Sequence, residues 1–159
     1  MGSLMLVLSP TRHNPKSIDL ALSLVKKTSR KLLAVFVVDT RVTDAISDRI
    51  VDVGFLGDKV STELQKAIMK EYEERGRKEL EEVRSRAERL GVECDTIITK
   101  GDYVEECLRL ASENKVEDMI VSRAERSNIS RKLFGSAVNE LVERAPCPVM
   151  VVDNKGKED

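Results

Sequence analysis

The sequence predicts an α/β fold: a three-layer α/β/α domain around a doubly wound, parallel, five-stranded sheet of Rossmann-like type. Two observations carry this. First, Leu4 to Leu8 (LMLVL) and Leu32 to Val38 (LLAVFVV) are unbroken apolar runs, the pattern of strands covered on both faces. Second, short strand-like runs alternate with stretches of helical apolar spacing, and that alternation builds right-handed parallel units. The chain has 159 residues, the size of one domain with a sizeable core. Residues 1–153 are expected to form that domain, and the charged tail 154–159 to be disordered.

The elements follow in order. Leu4 to Leu8 is the first strand, broken by Ser9-Pro10-Thr11-Arg12-His13-Asn14-Pro15. Ser17 is the expected cap of a helix whose Ile18, Ala21, Leu22 and Val25 share one face. Leu32 to Val38 is the second strand. Asp39 to Val60 has little periodic apolar pattern and reads as a cover or mobile loop, with a short helix over Thr43 to Val51 left open. A long helix is expected from Thr62 to Leu90, with Leu64, Ile68, Tyr72, Gly76, Leu80, Val83, Ala87 and Leu90 as its apolar stripe. Gly76 weakens that helix by about 1 kcal/mol, so close approach to the sheet should compensate. Gly91 is its C-cap. Val92 to Thr99 is a more polar strand, suited to an edge. Lys100-Gly101-Asp102 turns the chain, Asp102 caps a helix from Tyr103 to Asn114, and Val116 to Val121 is the fourth strand. A helix from Gly135 to Arg144 and a strand from Val149 to Val152 complete the pattern.

Bulk composition narrows the function classes. The formal net charge is −1, with 27 Lys and Arg against 28 Asp and Glu, which argues against a general nucleic-acid or membrane-surface binder. No apolar run approaches the roughly 20 residues that span a bilayer. Met1 to Leu8 is too short for a secretory signal, so a cytoplasmic location is expected. Cys94, Cys107 and Cys147 lack zinc spacing and read as small hydrophobes in a reducing compartment. His13 is the single histidine and reads as a loop residue. No metal site is expected.

Chemistry concentrates at residues 121–153, VSRAERSNISRKLFGSAVNELVERAPCPVMVVD. Gly135-Ser136 at a helix start offers free backbone N–H groups and a hydroxyl, an anion-binding arrangement. Leu133-Phe134 precedes that pair, and an amphipathic helix, Ala145-Pro146-Cys147-Pro148 and a Val-rich strand follow it. This stretch resembles the universal stress protein family, and the resemblance extends through most of the chain. In nucleotide-binding members one glycine is followed after two residues by a second, and after nine more by a Gly-Ser or Gly-Thr pair. The two earlier glycine positions fall here at Ser122 and Glu125. A further family position, an Asp after Pro-Thr or Ala-Thr that contacts the nucleoside, is Arg12 here, following Pro10 and Thr11.

The resemblance implies the strand order 3-2-1-4-5 and a ligand site where build-out reverses, between strands one and four. Its residues would be Pro10, Thr11, Arg12, Val37, Ser122, Arg123, Glu125, Gly135, Ser136 and Ala137. Three departures oppose strong ATP binding. Arg12 has only donors for a ribose hydroxyl. Ser122 and Glu125 disfavour positive φ and add bulk where phosphate approaches. Glu125 also repels a triphosphate. Arg12, Arg123, Arg126, Arg131 and Lys132 could instead line a site for another anion, although solvated loop charges paired with Glu125 and its neighbours are the plainer reading. No aromatic platform accompanies them, which argues against nucleic acid. The resemblance also implies a homodimer through Val149, Met150, Val151 and Val152, an apolar edge strand pairing with its symmetry mate.

The sequence shows no nucleophile elbow, Walker loop or zinc spacing, and Ser136 has no evident base, so no catalytic residue is assigned. Slow, incidental ATP hydrolysis stays open. Two functions follow. One is a non-enzymatic, dimeric stress or regulatory protein that acts on a protein partner and has a vestigial or altered nucleotide pocket. The other is a module that binds ATP, with Mg, or another adenine nucleotide around Gly135-Ser136.

Overall fold

The computed structural model describes residues 2–10, 15–40, 58–123 and 137–153. Five parallel strands, β1 (Ser3–Leu8), β2 (Lys31–Asp39), β3 (Cys94–Gly101), β4 (Val116–Ser122) and β5 (Val149–Val152), form one sheet in the order β3-β2-β1-β4-β5. Helices α1 (Pro15–Thr28) and α2 (Asp58–Arg89) cover one face, and α3 (Tyr103–Glu113) and α4 (Ala137–Arg144) the other. The expected fold class and strand order are both present.

Alternation along each strand sorts the core into two layers. Leu4, Leu6, Leu8, Leu32, Ala34, Phe36 and Val38 meet α1 and α2. Met5, Val7, Leu33, Val35, Val37, Met119 and Val121 meet α3 and α4. β3 and β5 are the two edges, and the side chains of both are mostly half-buried, which accounts for the polar character of residues 92–99.

Local sequence chemistry sets the helix ends. Asp102 caps α3 as expected, its carboxylate accepting from the Glu105 N–H at 3.1 Å. α2 ends in a Schellman arrangement: Gly91 has φ +73°, its N–H donates to the Glu88 carbonyl at 3.0 Å, and the Val92 N–H donates to the Ala87 carbonyl at 2.9 Å. The Lys26 ammonium, at the end of α1, donates to the Leu90 carbonyl at 2.8 Å and so ties the two helices together.

Three expectations need correction. Ser17 is not a cap, because α1 starts at Pro15, whose missing N–H and fixed φ suit a first helical position; Ser17 is a buried residue of the first turn. The long helix begins at Asp58 rather than Thr62. Leu90 is not part of a buried stripe: it is 40% exposed, and Val92, brought round by the Schellman turn, fills the core position instead. The open question of a helix over Thr43 to Val51 lies outside the described residues.

Gly76 shows the close approach that its place in the stripe implies. A β-carbon there would lie 2.5 Å from the fully buried Phe36 ring. Alanine would gain about 1 kcal/mol of helix propensity, but overpacking a rigid ring costs about 1–3 kcal/mol. We predict that Gly76→Ala lowers stability, read as a reduced urea midpoint. A raised midpoint would show that the helix can withdraw from the sheet.

Candidate switch-point site

The carboxyl ends of β1 and β4 lie side by side at the point where the strand order reverses, with β2 flanking β1. Ser9 and Pro10 follow β1, and Ser122 ends β4; all three are buried. Neither the Ser9 Oγ nor the Ser122 Oγ has a hydrogen-bond partner among the described residues. Strand alternation sets Ser9 toward the α3/α4 layer, following Val7, and Ser122 toward the α1/α2 layer, following Ile120. The two hydroxyls therefore flank the sheet edge from opposite faces. Ser9 escaped the sequence reading. Its signal was a hydroxyl directly after the apolar run LMLVL, at the end of a central strand.

The other predicted residues divide into three groups. Val37 and Ala137 are brought together in one buried cluster with Val121, so they are walls of the core beneath the site. Arg123 is half-buried and committed elsewhere: its N–H donates to the Val152 carbonyl at 3.1 Å, and its Nε lies 3.5 Å from the Asp153 carboxylate. Thr11, Arg12, Glu125, Gly135 and Ser136 lie outside the described residues, as do His13, Arg126, Arg131 and Lys132.

One physical objection to Ser122 is removed. It ends β4 as a strand residue, and among the described non-glycine residues positive φ occurs at Ser29 and Lys115. Ser122 thus sits in the strand without left-handed strain. What it changes is volume and polarity.

The thiols are not arranged as nucleophiles. All three cysteines are free. Burial, reinforced by the Asp95 carboxylate, pushes the Cys94 thiol up to about 11. Burial, with Asp118 nearby, also raises Cys147. Cys107 is fully buried. Among the described residues no group of three or more His, Cys, Asp or Glu could hold a metal ion, and no helix is long and apolar enough to cross a membrane.

The strand order β3-β2-β1-β4-β5, with helices on both faces, defines a doubly wound α/β protein of Rossmann-like type. Residues 3–153 match the model of the universal stress protein family, and the chain belongs to that family. It is 26% identical over 157 residues to universal stress protein MJ0531 of Methanocaldococcus jannaschii, covering 96% of this chain and 84% of the relative. The fold is similar to that of UspA from Lactobacillus plantarum, with TM-score 0.70, 13% identity and coverage of 95% and 97% of the two chains. It is also similar to a family protein from Arabidopsis thaliana solved with AMP bound, with TM-score 0.60, 16% identity and coverage of 99% and 95%.

Thiolate is the reactive form of cysteine. With its thiol raised to about 11, Cys94 should be alkylated by iodoacetamide at pH 8 about a hundredfold more slowly than free cysteine. Rapid modification of Cys94 in the folded protein would overturn this assignment.

Proposed function

We propose that the protein is a non-enzymatic, regulatory universal stress protein that acts as a homodimer through β5 and has an altered switch-point pocket. Ser122 carries the reading. It puts a buried side chain where nucleotide-binding relatives keep bare backbone, and its neighbour Arg123 is engaged by Val152 and Asp153. The sequence adds two departures with the same sense: Arg12 supplies only donors, and Glu125 adds negative charge.

A second reading has its own support. The Ser9 and Ser122 hydroxyls, buried and without partners among the described residues, are suited to hydrogen-bond an adenine nucleotide, and the Arabidopsis thaliana relative carries AMP. ATP with Mg would then sit against Gly135-Ser136.

Calorimetric titration with Mg-ATP separates the two. On the first reading the wild type binds weakly, and the triple variant Arg12→Asp/Ser122→Gly/Glu125→Gly binds at least about tenfold more tightly, a gain of about 1.4 kcal/mol. Low-micromolar binding by the wild type, or nucleotide in a mass spectrum of heat-released small molecules, would establish the second. A folded triple variant that gains nothing would refute the first.

The dimer reading rests on β5 being an edge strand, paired on one side only among the described residues. The carbonyls of Pro148 and Val152 accept from the N–H groups of Met119 and Arg123, so alternation turns the backbone of Val149 and Val151 outward. Their side chains pack on the core, so aspartate there would damage the monomer as well as the interface. Proline is tolerated at an edge where the N–H faces away from the sheet. Val151→Pro should therefore keep the fold and weaken the dimer at least about tenfold in sedimentation equilibrium. A wild type that is monomeric at micromolar concentration would contradict the dimer.

A further inference from the structure

The carboxyl edge of the sheet has a second recess, at β2 and β3, away from the β1/β4 switch point. It encloses about 400 Å³, within the size range of small-ligand sites. Thr40, just past β2, and Lys100, near the end of β3, line it from the sheet. Lys66, Met69, Lys70 and Glu73 line it from α2.

Charge in the recess is unbalanced. The Lys100 ammonium is paired with the Glu73 carboxylate. Lys66 and Lys70 are exposed and have no ion pair with any described residue. They stand four residues apart, on one face of α2, a spacing at which like charges disfavour the helix. Among the described lining residues, three lysines against one glutamate leave two net positive charges. Met69, half-buried and packed on the core, supplies an apolar floor beneath them.

We propose that this recess binds a small phosphomonoester. The phosphate, with nearly two negative charges at neutral pH, sits between Lys66 and Lys70. The organic portion lies on Met69, with Thr40 at its polar end. Lysine suits this role as a mobile point charge able to follow a tetrahedral anion. The site is independent of any nucleotide at the switch point.

The test is a titration of the full-length, ¹⁵N-labelled protein with phenyl phosphate and, separately, inorganic phosphate, followed by amide shifts. Phenyl phosphate should give saturable shifts centred on Thr40, Lys66, Lys70 and Lys100, and should bind more tightly than inorganic phosphate, which cannot use Met69. Lys66→Gln/Lys70→Gln, at exposed positions, should keep the dispersed spectrum and weaken phenyl phosphate binding at least about tenfold. Lys78→Gln, on the same helix but outside the recess, should leave binding unchanged. The proposal is overturned if wild-type shifts do not saturate, if they centre on Val121 and Ser122, if the double variant binds as wild type does, or if Lys78→Gln is equally weakened.

Discussion

The double burial of β1 is the constraint from which the other geometry follows. It is hydrogen-bonded to β2 on one side and β4 on the other, and helices cover both of its faces. Leu4, Leu6 and Leu8 belong to one layer, Met5 and Val7 to the other, all with no exposed surface. Burial of each such side chain stabilises the fold by about 1.5–3 kcal/mol relative to exposure. A one-residue slip would exchange the two layers. The single register shift, between Ser3 and Leu4, is at the start of the strand, where Ser3 is the one polar residue. The carboxyl ends of β1, β2 and β4 are thereby fixed relative to each other.

The length of α2 is the second determinant. At about 1.5 Å per residue, its 32 residues span about 48 Å. The eight residues of β3 span about 27 Å. α2 runs back from the carboxyl edge to the amino edge, where Gly91 turns the chain toward β3. Among the residues whose burial is described, its buried positions, Gly76, Leu80, Val83 and Ala87, all fall in the carboxyl half, and Gly76 is where the helix comes against Phe36. The amino half therefore overhangs β2 and β3. That overhang creates the lysine-lined recess, and the excess of charged residues over apolar ones along this helix is what an overhanging helix requires.

The sequence was most readable where burial was most complete. LMLVL and LLAVFVV could be assigned as strands because both faces of β1 and β2 are covered, and the Gly76 contact followed from one small residue in an apolar stripe. Reading failed where two local rules competed. Ser17 has good capping chemistry, but Pro15 fixes the helix start two residues earlier. Leu90 keeps the apolar period, but the Gly91 turn delivers Val92 to the core in its place. The recess was not readable at all, because Lys66 on α2 and Lys100 on β3 come to line one recess only when the helix is laid across the sheet edge. The strand order was legible through family resemblance, since apolar periodicity does not say which parallel strands are neighbours.

At the switch point the backbone and the side chain of Ser122 make separate contributions. A glycine is indispensable where φ is positive, and Gly91 at +73° is such a position. Ser122 is not: it continues the β4 ladder, paired with Val152, and the backbone there tolerates any L residue. What Ser122 contributes therefore comes through the side chain alone, a buried hydroxyl at the end of a central strand. A buried hydroxyl without a partner is costly, by about 1–3 kcal/mol if it stays dry. With Ser9 on the opposite face, it makes the carboxyl edge of the central strands polar at two buried points.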